Sequence, residues 1–157
     1  MKTEPVYAVR SGTVLVAKTN KDSPNPYGNR VYITDEDGYN TLYAHLDSFS
    51  VKTGQRVEAR QQIGIMGNTG TEVDHLHFGL FPPGASCIPA NAIDPAPYVA
   101  TFGMPCKHTA MSPFGSKVHH SSLAAHEGID FLADPDSATG TLDGLQADEE
   151  YWRRSKR

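Results

Sequence analysis

The residues best suited to chemistry are histidines, of which the 157-residue chain has seven, against only two cysteines. Imidazole both binds zinc and carries protons near neutral pH. Two of the seven stand in the tripeptide His75-Leu76-His77. On a strand, these two imidazoles would lie about 7 Å apart on one face, with Leu76 on the other. The spacing fits two metal ligands, or one ligand beside a proton-handling group, but taken alone it is weak evidence, because two unrelated surface histidines are the commoner cause of this pattern.

A second candidate is His45, at the end of a predicted strand. Strand alternation predicts that Leu42, Ala44 and Leu46 share an apolar face. Tyr43 and His45 are then expected on the opposite, polar face. Taken alone, the pattern favours a solvated histidine at a strand end over a catalytic one.

The third candidate is the segment from His126 to Phe131. In an extended backbone, His126, Gly128 and Asp130 lie on one face, and Ile129 and Phe131 pack behind them. An imidazole and a carboxylate then converge as half of a metal site. Two imidazoles and one carboxylate suit catalytic zinc, which leaves the fourth tetrahedral position open for water. The alternative is an acid–histidine pair on the surface, which would be the default interpretation if the other two histidine motifs were absent.

The strands that must position these groups are predicted from β-branched residues and turns. An Asp-Gly pair at positions 37 and 38 predicts a hairpin between residues 31–34 and 39–46. Residues 6–9 and 12–17 are predicted to form a hairpin-like beginning, and residues 20–29 a surface loop. No helical period persists before residue 100, so the expected fold is mainly antiparallel β with few or short helices.

The C-terminal third is predicted to be less regular. Five prolines between residues 88 and 113 favour an extended connection over a packed element. Residues 143–154 are expected to form either one short helix or a frayed polar tail. Cys87 and Cys106 have neither CxxC spacing nor a framework, and two partly buried thiols are favoured over a disulfide.

Charge and hydropathy exclude several partners. Eighteen acidic against fourteen basic residues give a formal net charge of −4, the wrong sign for binding nucleic acid. No apolar run approaches the roughly 18 residues of a membrane helix, so no membrane partner is expected. Charge and proline in the first five residues argue against a secretory signal peptide.

Several motifs together resemble the lysostaphin-type (LytM-like) zinc endopeptidases that cut peptidoglycan cross-bridges. In that family a phrase similar to SPFG followed by HxGxDF precedes the other motifs, whereas here SPFG at residues 112–115 and HEGIDF at 126–131 follow them. The matching earlier blocks are residues 38–46 (GYNTLYAHL), 51–54 (VKTG), 63–70 (IGIMGNTG) and 75–80 (HLHFGL).

This order resembles a circular permutation of the family domain, which implies the antiparallel β fold of the lysostaphin/LytM (duplicated hybrid motif) type. The expected organisation is one permuted domain over residues 1–136 and a polar tail over 137–157. Within the domain, residues 1–100 hold the YAHL and HLH motifs, 101–111 the permutation linker, and 112–136 the HEGID motif. The competing account is the end of one such domain joined to the start of another.

The resemblance implies roles for five residues. One Zn²⁺ per chain is expected on His126, Asp130 and His77, where it would activate water for attack. His45 and His75 match the family's two further histidines. They are expected to orient or deprotonate the water, to stabilise the oxyanion and to protonate the departing amine.

The implied function is a zinc metalloendopeptidase acting on peptidoglycan cross-bridges at the bacterial cell wall or in the periplasm. Without a signal peptide, the expected source is a bacteriophage: a lysin released from the host cytoplasm, or a virion-associated enzyme of the tail. The alternative is an inactive LytM-like module that binds peptidoglycan or regulates another hydrolase. A purely structural zinc fits poorly, because three ligands and two further histidines describe an open site.

Overall fold

The computed structural model describes residues 2–107, 110–112 and 128–132. Nine strands in these ranges form one antiparallel sheet in the order β5-β2-β3-β4-β7-β9-β8, with β6 pairing β4 and β1 pairing β6. The strands are β1 (Pro5–Tyr7), β2 (Gly12–Lys18), β3 (Asn29–Asp35), β4 (Asn40–Phe49), β5 (Arg56–Val57), β6 (Gln62–Met66), β7 (His75–Phe81), β8 (Ala110–Ser112) and β9 (Ile129–Leu132). The predicted fold class, mainly antiparallel β, is confirmed.

The predicted central hairpin is also confirmed. Strands β3 and β4 pair antiparallel, and Gly38 in the turn between them has a φ of 89°. A positive φ of this kind is available to glycine at little cost. Residues 20–28 form an irregular loop, as predicted, and β3 begins at Asn29.

The predicted hairpin at the beginning of the chain is wrong. Strand β1 pairs with β6, whereas β2 pairs with β3 and β5. Between β1 and β2, Ala8 and Val9 are buried in the core, and the Ala8 N–H donates to the carbonyl of Gln61. The chain therefore continues through the core instead of reversing, because burial and a non-local backbone hydrogen bond override the local turn signal.

The extended connection predicted from the prolines is interrupted by a packed helix. A 3-10 turn covers Pro89–Asn91, and helix α1 covers Ala96–Phe102. Pro95 and Pro97 lie at the start of α1, where proline is tolerated because the first N–H groups have no helical partner. The Tyr98 hydroxyl donates to Asp35 Oδ2 at 2.7 Å, which anchors the helix to the β3–β4 hairpin.

Two apolar clusters cover the two sides of the central strands. Tyr43 and Phe78 belong to the larger cluster, whereas Leu42 and Ala44 belong to a smaller one with Tyr27, Tyr32 and Phe81. Neighbours along β4 thus alternate between the two clusters, as the strand period requires. Neither helical segment in the described ranges has the length and apolarity that a membrane span requires.

Several predictions fall elsewhere in the chain. The polar tail over residues 137–157 and the possible helix over 143–154 lie outside the described residues.

The cysteines are described, and both are thiols, with Cys106 buried and Cys87 half-buried. This agrees with the predicted preference for two partly buried thiols.

Candidate functional site

Strand β7 supplies two imidazoles to one face of the sheet. Leu76 and Phe78 pack in the larger core cluster, so His75 and His77 lie on the opposite face. The predicted alternation over this tripeptide is confirmed. Both histidine side chains are fully buried, so they line an enclosed site and are not scattered surface residues.

Strand β9 brings a carboxylate to the same face. Its register places Asp130 directly opposite His77, and cross-strand partners share a face. His77 Nδ1 lies 3.1 Å from Asp130 Oδ1, and His75 Nε2 lies 3.6 Å from the same oxygen. Ile129 and Phe131, on either side, pack in the core as predicted. A carboxylate 53 residues downstream of His77 thus joins the two imidazoles.

His45 reaches the site through a β-bulge. Between the pairs Asn29–Leu46 and Val31–Tyr43, two residues of β4 stand opposite one residue of β3. His45 has a φ of 61°, in the left-handed region that residues other than glycine rarely adopt. Bulges commonly redirect a side chain in this way. The His45 ring centroid lies 4.9 Å from that of His75 and 6.1 Å from that of His77.

The bulge overturns the predicted faces of β4. Tyr43 does not lie on a polar face: it is fully buried in the larger cluster, and its hydroxyl accepts a hydrogen bond from the Val9 N–H at 3.0 Å. Leu46 joins Tyr43 in that cluster and not the cluster of Leu42 and Ala44. Strict alternation would have sent His45 into the core with Tyr43, and the left-handed residue breaks that alternation.

The environment of His45 defines its proton-bearing nitrogen. Nδ1 lies 2.7 Å from the carbonyl oxygen of Thr69, which can only accept a hydrogen bond. Burial, followed by the neighbouring His75 and His77, lowers the pKa of His45 well below its usual value. A neutral ring that donates from Nδ1 carries its lone pair on Nε2. That nitrogen is buried and has no hydrogen-bond partner among the described residues.

His75 is oriented in the same manner. Its Nδ1 lies 2.8 Å from the carbonyl oxygen of Val73, so this nitrogen is the donor in the neutral ring. Its Nε2 then faces Asp130. Two neighbouring histidines therefore both direct Nε2 toward the interior of the site.

Tyr27 is a site residue that the motifs did not single out. Its ring stacks on His77, with centroids 5.4 Å apart and an interplanar angle of 24°, and its carbonyl accepts the His45 N–H at 2.7 Å. It belongs to the irregular loop over residues 20–28 that precedes β3. The sequence feature that could have pointed to Tyr27 is its position as an aromatic residue in an otherwise polar, proline-rich loop.

The described residues bring together four of the five predicted site residues: His45, His75, His77 and Asp130. The fifth, His126, lies outside the described residues. Within residues 2–107, 110–112 and 128–132, no three His, Cys, Asp or Glu side chains are arranged to hold one metal ion together. Two of the three predicted metal ligands, His77 and Asp130, do lie next to each other.

The donor atoms of these two residues fit zinc. Two ligand atoms about 2.1 Å from one tetrahedral ion lie about 3.4 Å apart. The His77 Nδ1 to Asp130 Oδ1 distance of 3.1 Å is close to that value, and it also suits a hydrogen bond. Gly128 allows the backbone to lie directly against this ring, since a Cβ there would lie 2.7 Å from His77 Nε2. Imidazole nitrogen and carboxylate oxygen are both ordinary zinc donors.

Comparison with known proteins supports the motif resemblance. Residues 1–89 match the family model described as Peptidase family M23. The chain is 40% identical over 91 residues to peptidoglycan DD-endopeptidase ShyA of Vibrio cholerae, covering 57% of this chain and 19% of ShyA. It is 36% identical over 88 residues to murein hydrolase activator NlpD of Salmonella dublin, covering 56% of this chain and 22% of the activator. The chain thus spans about a fifth of the length of these two relatives.

Solved structures agree with the fold. The catalytic domain of the antimicrobial peptidase lysostaphin from Staphylococcus simulans superposes with a TM-score of 0.57 at 32% identity. That match covers 64% of this chain and 73% of the lysostaphin domain. LytU superposes with a TM-score of 0.54 at 35% identity, covering 64% of this chain and 67% of LytU. The lysostaphin/LytM-type resemblance inferred from the motifs is confirmed.

Proposed function

Because the chain belongs to peptidase family M23, we propose that it is a zinc-dependent endopeptidase that hydrolyses peptide cross-links of bacterial peptidoglycan. The observation that carries this proposal is the convergence of His45, His75, His77 and Asp130 on one enclosed face of the sheet. A purely structural sheet gains little from four buried polar side chains, since burying such groups is costly.

In this proposal, His77, Asp130 and His126 hold one zinc ion. The family match ends at residue 89, so the place of Asp130 is supported by its register opposite His77 and not by that match. Bound zinc supplies Lewis-acid activation of water at neutral pH. The stack of Tyr27 on His77 limits rotation of that ring.

His45 and His75 handle protons. With Nδ1 donating to a backbone carbonyl, the neutral form of each ring carries its lone pair on Nε2, which can accept a proton from the attacking water. The same nitrogen, once protonated, can donate to the oxyanion or to the departing amine. The low pKa of His45 keeps its ring neutral before the reaction, and proximity of the two rings allows them to share these tasks.

A second candidate function is suggested by one specific observation, the similarity to the murein hydrolase activator NlpD. In this alternative, the chain binds peptidoglycan or regulates another hydrolase without cleaving. The complete set of four described site residues favours the enzyme, because a binding module does not require proton-handling histidines. An inactive module would bind insoluble peptidoglycan without releasing fragments.

The domain organisation and the setting are part of the proposal. The pairing of β9 with β7 supports a circularly permuted domain over residues 1–136, with its linker at 101–111, since a late segment completes the face that the earlier motifs begin. We further propose action at the cell wall or in the periplasm, as a phage lysin or a tail-associated enzyme. Peptidoglycan is the proposed partner in either setting.

The deciding experiment measures zinc content and lysis on the same full-length preparations. Wild-type protein is expected to carry about one zinc per chain and to clear peptidoglycan suspensions, with loss on chelation and recovery on zinc addition. His77→Ala should lose zinc and activity together. His45→Ala should keep zinc and lose activity by about 100-fold or more.

Two outcomes would contradict this reading. His45→Ala that retains zinc and lyses normally would remove the proposed catalytic role of His45. Zinc-loaded wild-type protein that sediments with peptidoglycan but releases no peptide fragments, measured by mass spectrometry, would favour the regulatory alternative.

A further inference from the structure

Thr69 lies at the junction between the site and the loop that covers it. Its hydroxyl donates to the Leu46 carbonyl at 2.8 Å and accepts from the Asn29 N–H at 3.0 Å. Its own carbonyl lies 2.7 Å from His45 Nδ1. One residue therefore ties β3, the bulge of β4 and an imidazole of the site together.

The bulge that Thr69 contacts is strained. A left-handed conformation costs a residue with a side chain about 1 to 2 kcal/mol, and His45 adopts it with a φ of 61°. Hydrogen bonds hold the backbone on both sides: the His45 N–H donates to the Tyr27 carbonyl, and the Leu46 carbonyl accepts from Asn29 Nδ2 and Thr69 Oγ1. Strained residues of this kind persist only where their surroundings enforce them, and they cluster at functional sites.

The approach between the loop and Thr69 depends on glycine. Gly28 has a φ of 67°, and a Cβ at this position would collide with the Thr69 carbonyl oxygen. The loop backbone can therefore lie directly against the carbonyl that faces His45. This close packing fixes the position of the Thr69 carbonyl relative to His45.

We propose that Thr69 is a positioning residue for His45, whose hydroxyl anchors the bulge and holds the carbonyl that receives the Nδ1 proton, so that Nε2 faces the reaction. The inference rests on the proposed function for its catalytic consequence. The placement of the proton on Nδ1 does not depend on that function and can be measured separately.

Substitution of the hydroxyl tests this role. Thr69→Val keeps the branched shape but removes both hydroxyl hydrogen bonds, so the Thr69 carbonyl and the bulge are free to shift. Displacements of about 1 Å at a catalytic group can lower the rate by about 100-fold. We expect kcat to fall at least about tenfold, with KM and zinc content within about twofold of wild type. Thr69→Ser, which keeps the hydroxyl, should restore kcat to within about threefold.

Thr41→Val provides a matched control. Thr41 is buried, whereas Thr69 is half-buried; it lies in the same strand as His45, and its hydroxyl bonds the Ile33 carbonyl and the Tyr43 hydroxyl. This variant should lose stability, measured by thermal unfolding, without a change in kcat beyond about twofold. Equal loss of kcat in Thr69→Val and Thr41→Val at matched loss of stability would overturn the proposal.

Nitrogen-15 NMR of the full-length chain at constant pH supplies the second readout. Wild-type protein should show His45 with its proton on Nδ1, and Thr69→Val should shift population to the Nε2-protonated form. An unchanged tautomer together with unchanged kcat in Thr69→Val refutes the positioning role. If wild-type protein is inactive with zinc bound but Thr69→Val still shifts the tautomer, the proposed function fails and the positioning of His45 stands.

Discussion

Replacement of Gly128 by alanine is the smallest change expected to disable the site. Gly128 precedes β9 and lies against His77. An added Cβ would meet His77 Nε2 at 2.7 Å, His77 Cε1 at 2.8 Å and the carbonyl oxygen of Phe78 still closer. Two of these atoms belong to one predicted zinc ligand, so a single methyl group acts directly on it.

The size of the effect follows from these distances. Ordinary van der Waals contact begins at 3.4 Å, so the His77 ring must move by about 0.7 Å to admit the Cβ. Binding constellations tolerate about 0.5 Å. We expect zinc affinity to fall by about 10-fold to 100-fold, the range seen when the surroundings of a ligand are disturbed. Overpacking should lower the free energy of unfolding by about 1 to 3 kcal/mol.

The assay compares zinc affinity, by titration against a competing chelator, with the free energy of unfolding. Gly84→Ala serves as the control, because Gly84 has a φ of 80° and its Cβ would meet nothing within 4 Å. It should cost about 1 kcal/mol through backbone strain and leave zinc affinity unchanged. Gly128→Ala that folds, binds zinc within twofold of wild type and lyses normally would show that His77 is not a ligand in this position.

Two further predictions concern buried tyrosines. Tyr98→Phe removes the hydrogen bond to Asp35 Oδ2 and should lower the free energy of unfolding by about 1.5 to 3 kcal/mol in denaturant titrations, while lysis at permissive temperature is unchanged. Burial raises the pKa of Tyr43 from 10 to about 12, so its neutral form is favoured by folding. The contribution of this tyrosine to the free energy of unfolding should be present in full below pH 10. It should be lost between pH 10 and 12, by about 2 to 3 kcal/mol in all. Stability measured across that range should fall less steeply in Tyr43→Phe, and equal slopes would contradict the assignment.

Local sequence patterns predicted the structure correctly where the two-residue period of a strand extends over the whole segment. The alternation in β7 predicted that His75 and His77 share a face, because both neighbours of His77 are apolar and both pack in the core. The Asp-Gly turn predicted the β3–β4 hairpin for the same reason: a two-residue signal and a strand period act over a few residues. The motifs also identified the family without any knowledge of the contacts.

Local patterns failed where a non-local contact competes with them. The first strand pairs with β6 because residues 8 and 9 are drawn into the core. Helix α1 forms within a proline-rich segment because Pro95 and Pro97 occupy its first turn, and the buried Tyr98 binds Asp35. In each case, burial and a hydrogen bond to a distant residue outweigh the turn or proline signal.

The amino-acid sequence by itself determined the chemical inventory: which imidazoles and carboxylates exist, that His75 and His77 share one face of a strand, and which family uses such motifs. The tertiary structure alone decided how His45 enters the site, since its left-handed backbone is flanked by hydrogen bonds with Tyr27, Asn29 and Thr69, which folding brings next to the bulge. A strained conformation has no local signature, because the free energy that sustains it comes from residues brought near by folding.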